Sequence, residues 1–176
     1  MAEPSGASRF VAAIARRRVA AGFVLGAGAI WLAEPTAQSL ALGSTVAIIG
    51  EAVRIWAAGH LEKGREVTSS GPYAWTRHPL YLGSSIIGAG VAIASARVIL
   101  AIIVGAYLAV SISAAIRTEE AQLTERFGVQ YPAYRAGRGN PVRRRFSVAR
   151  AVRNREYRAL LGLVLALAIL AWKAAR

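Results

Sequence analysis

Five apolar stretches separated by polar breaks dominate the chain. They lie near Val19–Ala33, Ala37–Ala58, Leu80–Ala96, Val98–Ile116 and Ala159–Trp172. A helix needs roughly 17–25 apolar residues to cross the hydrocarbon core of a bilayer, and a shorter helix can still cross where the bilayer thins. The pattern therefore predicts an all-helical membrane bundle of about five transmembrane helices, built as a single domain over residues 1–176.

The polar breaks differ in length, and this difference predicts where the chemistry lies. Glu34-Pro35 and Ser95-Ala96-Arg97 are brief. Proline lacks an amide donor and restricts the residue before it, so the first break predicts a tight hairpin. The long polar segments, residues 59–79 and 117–158, then lie together at the other side of the membrane. We expect them to carry the catalytic groups.

The distribution of positive charge predicts the orientation. The formal net charge is +13, and 19 of the 22 Lys and Arg residues fall within residues 1–18, 54–79 and 117–158. Positive loops stay in the cytoplasm, so we expect the amino terminus and both long segments to be cytoplasmic. This threading puts Lys173 and Arg176 outside. An interfacial or re-entrant helix over 159–172 is therefore the alternative to a fifth span.

Composition excludes several classes of function. The chain is 55% hydrophobic and only 18% charged, whereas soluble domains average roughly 25% charged residues. It has no cysteine, which excludes disulfides and thiolate chemistry, and its two histidines argue against a metal site. No nucleic-acid motif accompanies the basic charge, so anionic lipid is the better partner for it than nucleic acid.

The first segment rich in chemistry lies at the mouth of the third apolar stretch. Residues 68–83 read Thr-Ser-Ser-Gly-Pro-Tyr-Ala-Trp-Thr-Arg-His-Pro-Leu-Tyr-Leu-Gly. Gly71-Pro72 predicts a turn, and Pro79 suits the first turn of a helix. His78 then lies at a helix amino terminus, where unpaired backbone amides favour an anionic group.

The second segment follows the fourth apolar stretch. It contains Arg117-Thr118-Glu119-Glu120, then Leu123, Phe127-Gly128, Tyr131 and Tyr134. Adjacent carboxylates beside a membrane favour a cationic ligand or an arginine partner, although they are also compatible with solvated charges on an extended helix. Glu51 and Arg54 share one face of the second helix. They either pair with each other or leave Arg54 free for an acceptor.

Together these residues resemble a known family of membrane methyltransferases. The pattern Gly-Pro-Tyr-x-x-x-Arg-His-Pro-x-Tyr-x-Gly at 71–83, Glu-Glu at 119–120 and Phe-Gly-x-x-Tyr-x-x-Tyr at 127–134 is similar to that of the isoprenylcysteine carboxyl methyltransferases. It also resembles the wider group that includes phospholipid N-methyltransferases. The likeness covers roughly residues 50–145.

The resemblance implies a pocket for S-adenosylmethionine at the cytoplasmic ends of the helices. The implied cofactor contacts are Tyr73, Arg77, His78, Pro79, Leu80, Tyr81, Glu119 and Leu123. The stretch Lys63–Thr68 occupies the place of further cofactor contacts, although its residue types match the family poorly. Arg117 resembles the arginine that faces the acceptor, although it lies closer to the glutamates than the family pattern suggests. Glu120 is the rival of Glu119 and, with His78 and Glu119, a candidate base for an amine acceptor, so Arg54, Arg117 and Glu120 are the predicted catalytic residues. The cofactor combines a sulfonium cation, an aminocarboxylate and an adenine. The two segments supply carboxylates, donors and apolar walls for these three parts.

The resemblance leaves the acceptor open among membrane-associated compounds. A prenylated cysteine carboxylate, a phospholipid amine, or another lipid or small hydrophobic molecule fits the motifs. A sterol-reductase-like oxidoreductase using NADPH is the alternative from another class, although such enzymes are longer, and a non-catalytic scaffold is a third. We expect an integral protein of a bacterial plasma membrane, or of the endoplasmic reticulum if the source is eukaryotic. The sequence gives no prediction of oligomeric state.

Overall fold

The chain folds into a bundle of helices that run between two ends. The polar end holds the loop before Pro79 and residues 117–139 and 144–156, and the opposite end holds Glu34, Arg97 and Lys173. The computed structural model describes residues 20–139, 142 and 144–176. The helices are α1 (Ala20–Leu32), α2 (Ala37–His60), α3 (Pro79–Ala94), α4 (Val98–Phe127), α5 (Gln130–Arg135), α6 (Val148–Arg153) and α7 (Tyr157–Ala174), with a 3₁₀ turn at Gly71–Ala74. The described residues contain no strand, so the all-helical prediction is confirmed. Residues 1–19, with the arginines at 16–18, and Arg143 lie outside the described part.

Helix length separates the membrane-crossing candidates from shorter elements. By length and apolar composition, α2, α4 and α7 are able to span a membrane, whereas α1 and α3 are shorter apolar helices. At 1.5 Å per residue, α3 is about 24 Å long, less than the hydrocarbon thickness of roughly 30 Å. The 30-residue α4 is about 45 Å long. Its last turns therefore extend past the apolar layer and carry the predicted carboxylates out of it.

Small residues let α2 and α3 approach closely. A Cβ atom added to Gly50 would lie 2.7 Å from the Ile87 backbone nitrogen, and one added to Gly83 would lie 2.7 Å from the Gly50 carbonyl oxygen. Gly43 and Gly90 form a second such contact near the other end of the pair. Membrane helices associate through this kind of backbone packing, because lipid provides no hydrophobic drive between them. These glycine contacts, which we call the seam between α2 and α3, hold the first turn of α3 against the end of α2.

Opposite ends of α7 are fixed at opposite ends of the bundle. At the end opposite the polar one, the Lys173 Nζ donates hydrogen bonds to the carbonyl oxygens of Ile30 and Trp31, at 2.9 and 2.6 Å. At the polar end, Glu156 just before α7 accepts a bond from Arg54 on α2. The helix thus runs the height of the bundle. This geometry favours a membrane crossing over the interfacial alternative, and it gives Lys173 a partner at the end of α1.

Candidate active site

The loop between α2 and α3 is shaped by a glycine and a proline. Gly71 has φ +59°, and a Cβ atom there would lie 2.6 Å from the His60 ring, so the position requires glycine. The chain then makes the 3₁₀ turn and buries Tyr73. His78 is the N-cap of α3 and Pro79 occupies the first helical turn, where its missing amide costs no hydrogen bond. The local sequence thereby directs His78 toward α4.

His78 lies between the two adjacent carboxylates of α4. Its Nε2 atom is 3.2 Å from the Glu120 Oε1 atom, and its Nδ1 atom is 3.9 Å from the Glu119 Oε2 atom. Glu120 also faces the guanidinium groups of Arg77 at 3.5 Å and Arg135 at 3.6 Å. Cations therefore surround Glu120. The Glu119 side chain is 44% exposed and has no hydrogen bond to a described residue. It is the carboxylate available to a ligand.

Helix α5 covers one side of this cluster with two tyrosines. The Tyr134 hydroxyl donates a hydrogen bond of 2.6 Å to the Tyr73 carbonyl oxygen, and the Tyr131 ring is buried beside that of Tyr134. Burial, together with the neighbouring Glu120 charge, raises the pKa of Tyr131 to about 12. Tyr131 is therefore neutral at physiological pH and acts as a wall of the cluster.

These elements enclose a cavity of about 490 Å³, which we call the polar cavity. Its volume lies within the range of roughly 300–1,000 Å³ that is typical of small-molecule sites. All eight predicted cofactor contacts line it, together with one predicted catalytic residue: Arg54, Tyr73, Arg77, His78, Pro79, Leu80, Tyr81, Glu119 and Leu123. Two separate segments of the sequence, residues 73–81 and 119–123, thus converge on one space.

Two predicted catalytic residues do not line the polar cavity. Arg117 is exposed on α4. Glu120 does not line the cavity either, but it contacts His78 and Arg77, which do. The rest of the lining is Leu61, Glu62, Lys63, Gly64, Glu66, Val67, Thr68, Ala115, Thr118, Gln122, Arg126, Tyr131 and Tyr134. Several of these residues fall in the stretch Lys63–Thr68, where the resemblance implies further cofactor contacts. Cations, carboxylates and apolar side chains are therefore all present.

A C-terminal strap, residues 144–156, ties the polar cavity to the end of α2. Glu62 receives hydrogen bonds from Arg150 at 2.8 Å and from Arg153 at 2.9 Å, and Glu66 receives two from Arg144 at 2.8 Å. The Asn154 amide donates to the carbonyl oxygens of Ala58 and Leu61. The bond from Arg150 is the largest cause that holds the pKa of Glu62 below its usual value. The arginines thus bind acidic residues of the cavity wall rather than only the lipid surface.

Arg54 forms the boundary between the polar cavity and a second space. That space is an apolar groove of about 340 Å³ between α3 and α7, which we call the lateral groove, and Arg54 and Ser84 are its polar residues. The Arg54 Nε atom donates to Glu156 at 2.6 Å, and Nη1 donates to the Leu80 carbonyl oxygen and to Ser84. No motif identifies Glu156, which is a lone carboxylate in an arginine-rich segment 102 residues from Arg54.

Among the described residues, no group of three or more His, Asp or Glu side chains is arranged to hold a metal ion.

Comparison with known proteins identifies one family and one relative. A model of the phospholipid methyltransferase family matches residues 18–130, which is more than half of the chain. The nickel-cobalt-cadmium resistance protein NccN of Alcaligenes xylosoxydans xylosoxydans is 30% identical over 99 residues. The match covers 55% of this chain and 45% of that protein, so the chain spans less than half of its relative. No solved structure matches significantly.

Proposed function

The chain belongs to the phospholipid methyltransferase family, and we propose that it transfers a methyl group from S-adenosylmethionine to a lipid or lipid-linked acceptor. The family match and the apolar helices support methyl transfer at a membrane. The observation that carries the finer proposal is the convergence of His78, Glu119 and the loop after α2 on one polar cavity, at the end of an otherwise apolar bundle.

The lining of the polar cavity fits the parts of the proposed methyl donor. Glu119 has no cationic partner nearer than His78 at 3.9 Å, so its carboxylate is free to face a positively charged or hydroxyl-bearing group. Arg126, whose guanidinium lies against Gly64, and Lys63 are suited to a carboxylate. Leu80 and Leu123 offer apolar surface for the adenine ring of the cofactor. These residues are the ones that would hold the cofactor.

When bound, the cofactor supplies an electrophilic methyl group on a sulfonium centre. The contribution of the chain is then to orient the reactants and to exclude water. Helix α5 lines one side of the polar cavity, and the C-terminal strap binds Glu62 and Glu66 in its wall. Arg54 separates the cavity from the lateral groove. Because Arg117 lies outside the cavity, Arg54 is the better candidate for an acceptor-side cation.

The chemical nature of the acceptor decides whether a base is needed. A carboxylate, such as that of a prenylated cysteine, is nucleophilic as it stands. An amine, such as that of a phospholipid, must first lose a proton. His78, which contacts Glu120 at 3.2 Å, is the proposed proton acceptor, and Glu119 and Glu120 are the nearest alternatives. The family description favours the phospholipid amine, and the motif resemblance favours the carboxylate.

Titration of the purified protein in detergent with S-adenosylhomocysteine tests the proposal. We expect binding in the micromolar range, and His78→Ala or Glu119→Ala should weaken it by at least about tenfold, as for loss of a charged hydrogen bond. Glu125→Gln is the matched control, because Glu125 is exposed on the same helix and does not line the cavity.

NADPH serves as the competing ligand in the same titration. Binding of NADPH without S-adenosylhomocysteine would replace the methyltransferase with the reductase alternative. Binding of neither ligand by a folded protein would favour the scaffold.

A further inference from the structure

Glu51 is a buried carboxylate that the proposed chemistry leaves unused. Its side chain lies in α2 and the residue is only 3% exposed, and neither carboxylate oxygen has a hydrogen-bond partner among the described residues. An unsatisfied carboxylate in a membrane helix is costly, so it calls for a function. Its nearest cation is Arg54 on the next turn, whose Nε atom is 3.9 Å from the Glu51 Oε2 atom.

Arg54 is instead bonded across the boundary between the two spaces. It binds Glu156 before α7, the carbonyl of Leu80 on the side of the polar cavity, and the hydroxyl of Ser84 on the side of the lateral groove. These bonds hold the Arg54 side chain across the passage between the lateral groove and the polar cavity. An acceptor whose hydrocarbon part lies in lipid needs this passage open, because its reactive end must meet the proposed methyl donor.

We propose that Glu51 is the second partner of Arg54, and that transfer of the guanidinium from Glu156 to Glu51 opens the passage between the lateral groove and the polar cavity. An approach of about 1 Å would bring the Arg54 Nε atom within hydrogen-bond distance of Glu51. The shift exchanges one carboxylate for another, so the guanidinium is never left unpaired. This inference rests on the proposed function, and it assigns Glu51 a positioning role.

The two carboxylates make opposite predictions. Glu51→Gln removes the open partner and should hold Arg54 in the closed position. Glu156→Gln weakens the closed partner and should favour the open one. Glu51→Asp keeps the charge and should behave as the unmodified residue does. If Glu51 had only a structural role, Glu51→Gln and Glu156→Gln would both reduce access from the lateral groove to the polar cavity.

The absence of natural cysteine allows a direct test. Ala115→Cys places a single thiol in the wall of the polar cavity. In vesicles, a long-chain N-alkyl maleimide reaches this thiol from the bilayer, and a charged, water-soluble maleimide reaches it from the aqueous side. With Glu51→Gln added, the alkyl reagent should react about tenfold more slowly, and with Glu156→Gln faster, since the open form of such an element is typically a minor population.

The water-soluble reagent is the internal control, and its rate should be the same in every variant. Equal alkyl-maleimide rates in the Glu51 and Glu156 variants, or equal changes with both reagents, would overturn the proposal. Failure of S-adenosylhomocysteine to bind the parent protein would contradict the proposed function. It would not affect the maleimide rates, which test the role of Glu51 separately.

Discussion

Glu62 shows how one carboxylate couples the cavity wall to the strap. Its ionised form is stabilised by the hydrogen bond from Arg150 and by the charge of Arg153, so its pKa lies below the usual 4.5. A carboxyl group with a lowered pKa stabilises the folded state fully above its unfolded value, and this contribution is lost as the pH falls through the folded value. Acid should therefore release the strap.

Hydrogen exchange of residues 144–156 at pH 7 and pH 3, corrected for intrinsic rates, measures this release. We expect protection at pH 7 and faster exchange at pH 3. Glu62→Gln should already exchange faster at pH 7 and change less on acidification. An unchanged strap in this variant would mean that Asn154 and backbone bonds alone hold it.

At the residue scale, the motifs identify side chains that line the polar cavity but not the distant partners of those side chains. His78 and Glu119 could be predicted because each belongs to a dense pattern beside an apolar span. Glu156 could not, because its partner Arg54 is 102 residues away and no local spacing connects them. Arg117, beside the glutamates in sequence, points away from the cavity because successive helical residues face different directions.

At the scale of elements, the seam between α2 and α3 predicts contrasting effects for equivalent glycine substitutions. A Cβ atom on Gly90 would lie 2.5 Å from the Ala47 backbone nitrogen, whereas one on Gly105 meets nothing within 4 Å. Gly90→Ala should destabilise by about 1–3 kcal/mol through overpacking. Gly105→Ala should be neutral or stabilising by up to about 1 kcal/mol through helix propensity.

Thermal unfolding in one detergent compares the two variants directly. The midpoint should fall for Gly90→Ala and stay level or rise for Gly105→Ala. A fall of the same size in both would show that alanine is poorly tolerated at any glycine of the bundle, and that the seam has no special role.

Element boundaries were predicted well where apolar composition sets them and poorly where polar contacts do. The stretch 37–58 corresponds to α2, and 159–172 lies within α7. The extension of α4 to Phe127 was not in the predicted span, because its last turns are polar and are held by contacts with α5 and the loop. The strap likewise depends on ion pairs between distant segments.

At the scale of the whole molecule, the charge distribution predicts that the polar end faces the cytoplasm. Gln130→Cys at the polar end and Gln38→Cys at the opposite end each introduce one exposed thiol. A membrane-impermeant maleimide should label Gln130→Cys only in inverted vesicles and Gln38→Cys only in right-side-out ones. The reverse pattern would mean that the strap arginines lie outside the cell and would contradict the predicted orientation.

The strap and α7 also set an order of assembly during synthesis. Glu62, Glu66 and Arg54 leave the ribosome well before the residues that neutralise them, Arg144, Arg150 and Glu156. Until those partners emerge, the growing chain holds α2, α3 and α4 with the cavity wall uncovered and its charges unpaired. A nascent chain stopped near residue 140 would therefore carry every residue that lines the polar cavity and still lack the strap that neutralises Glu62 and Glu66.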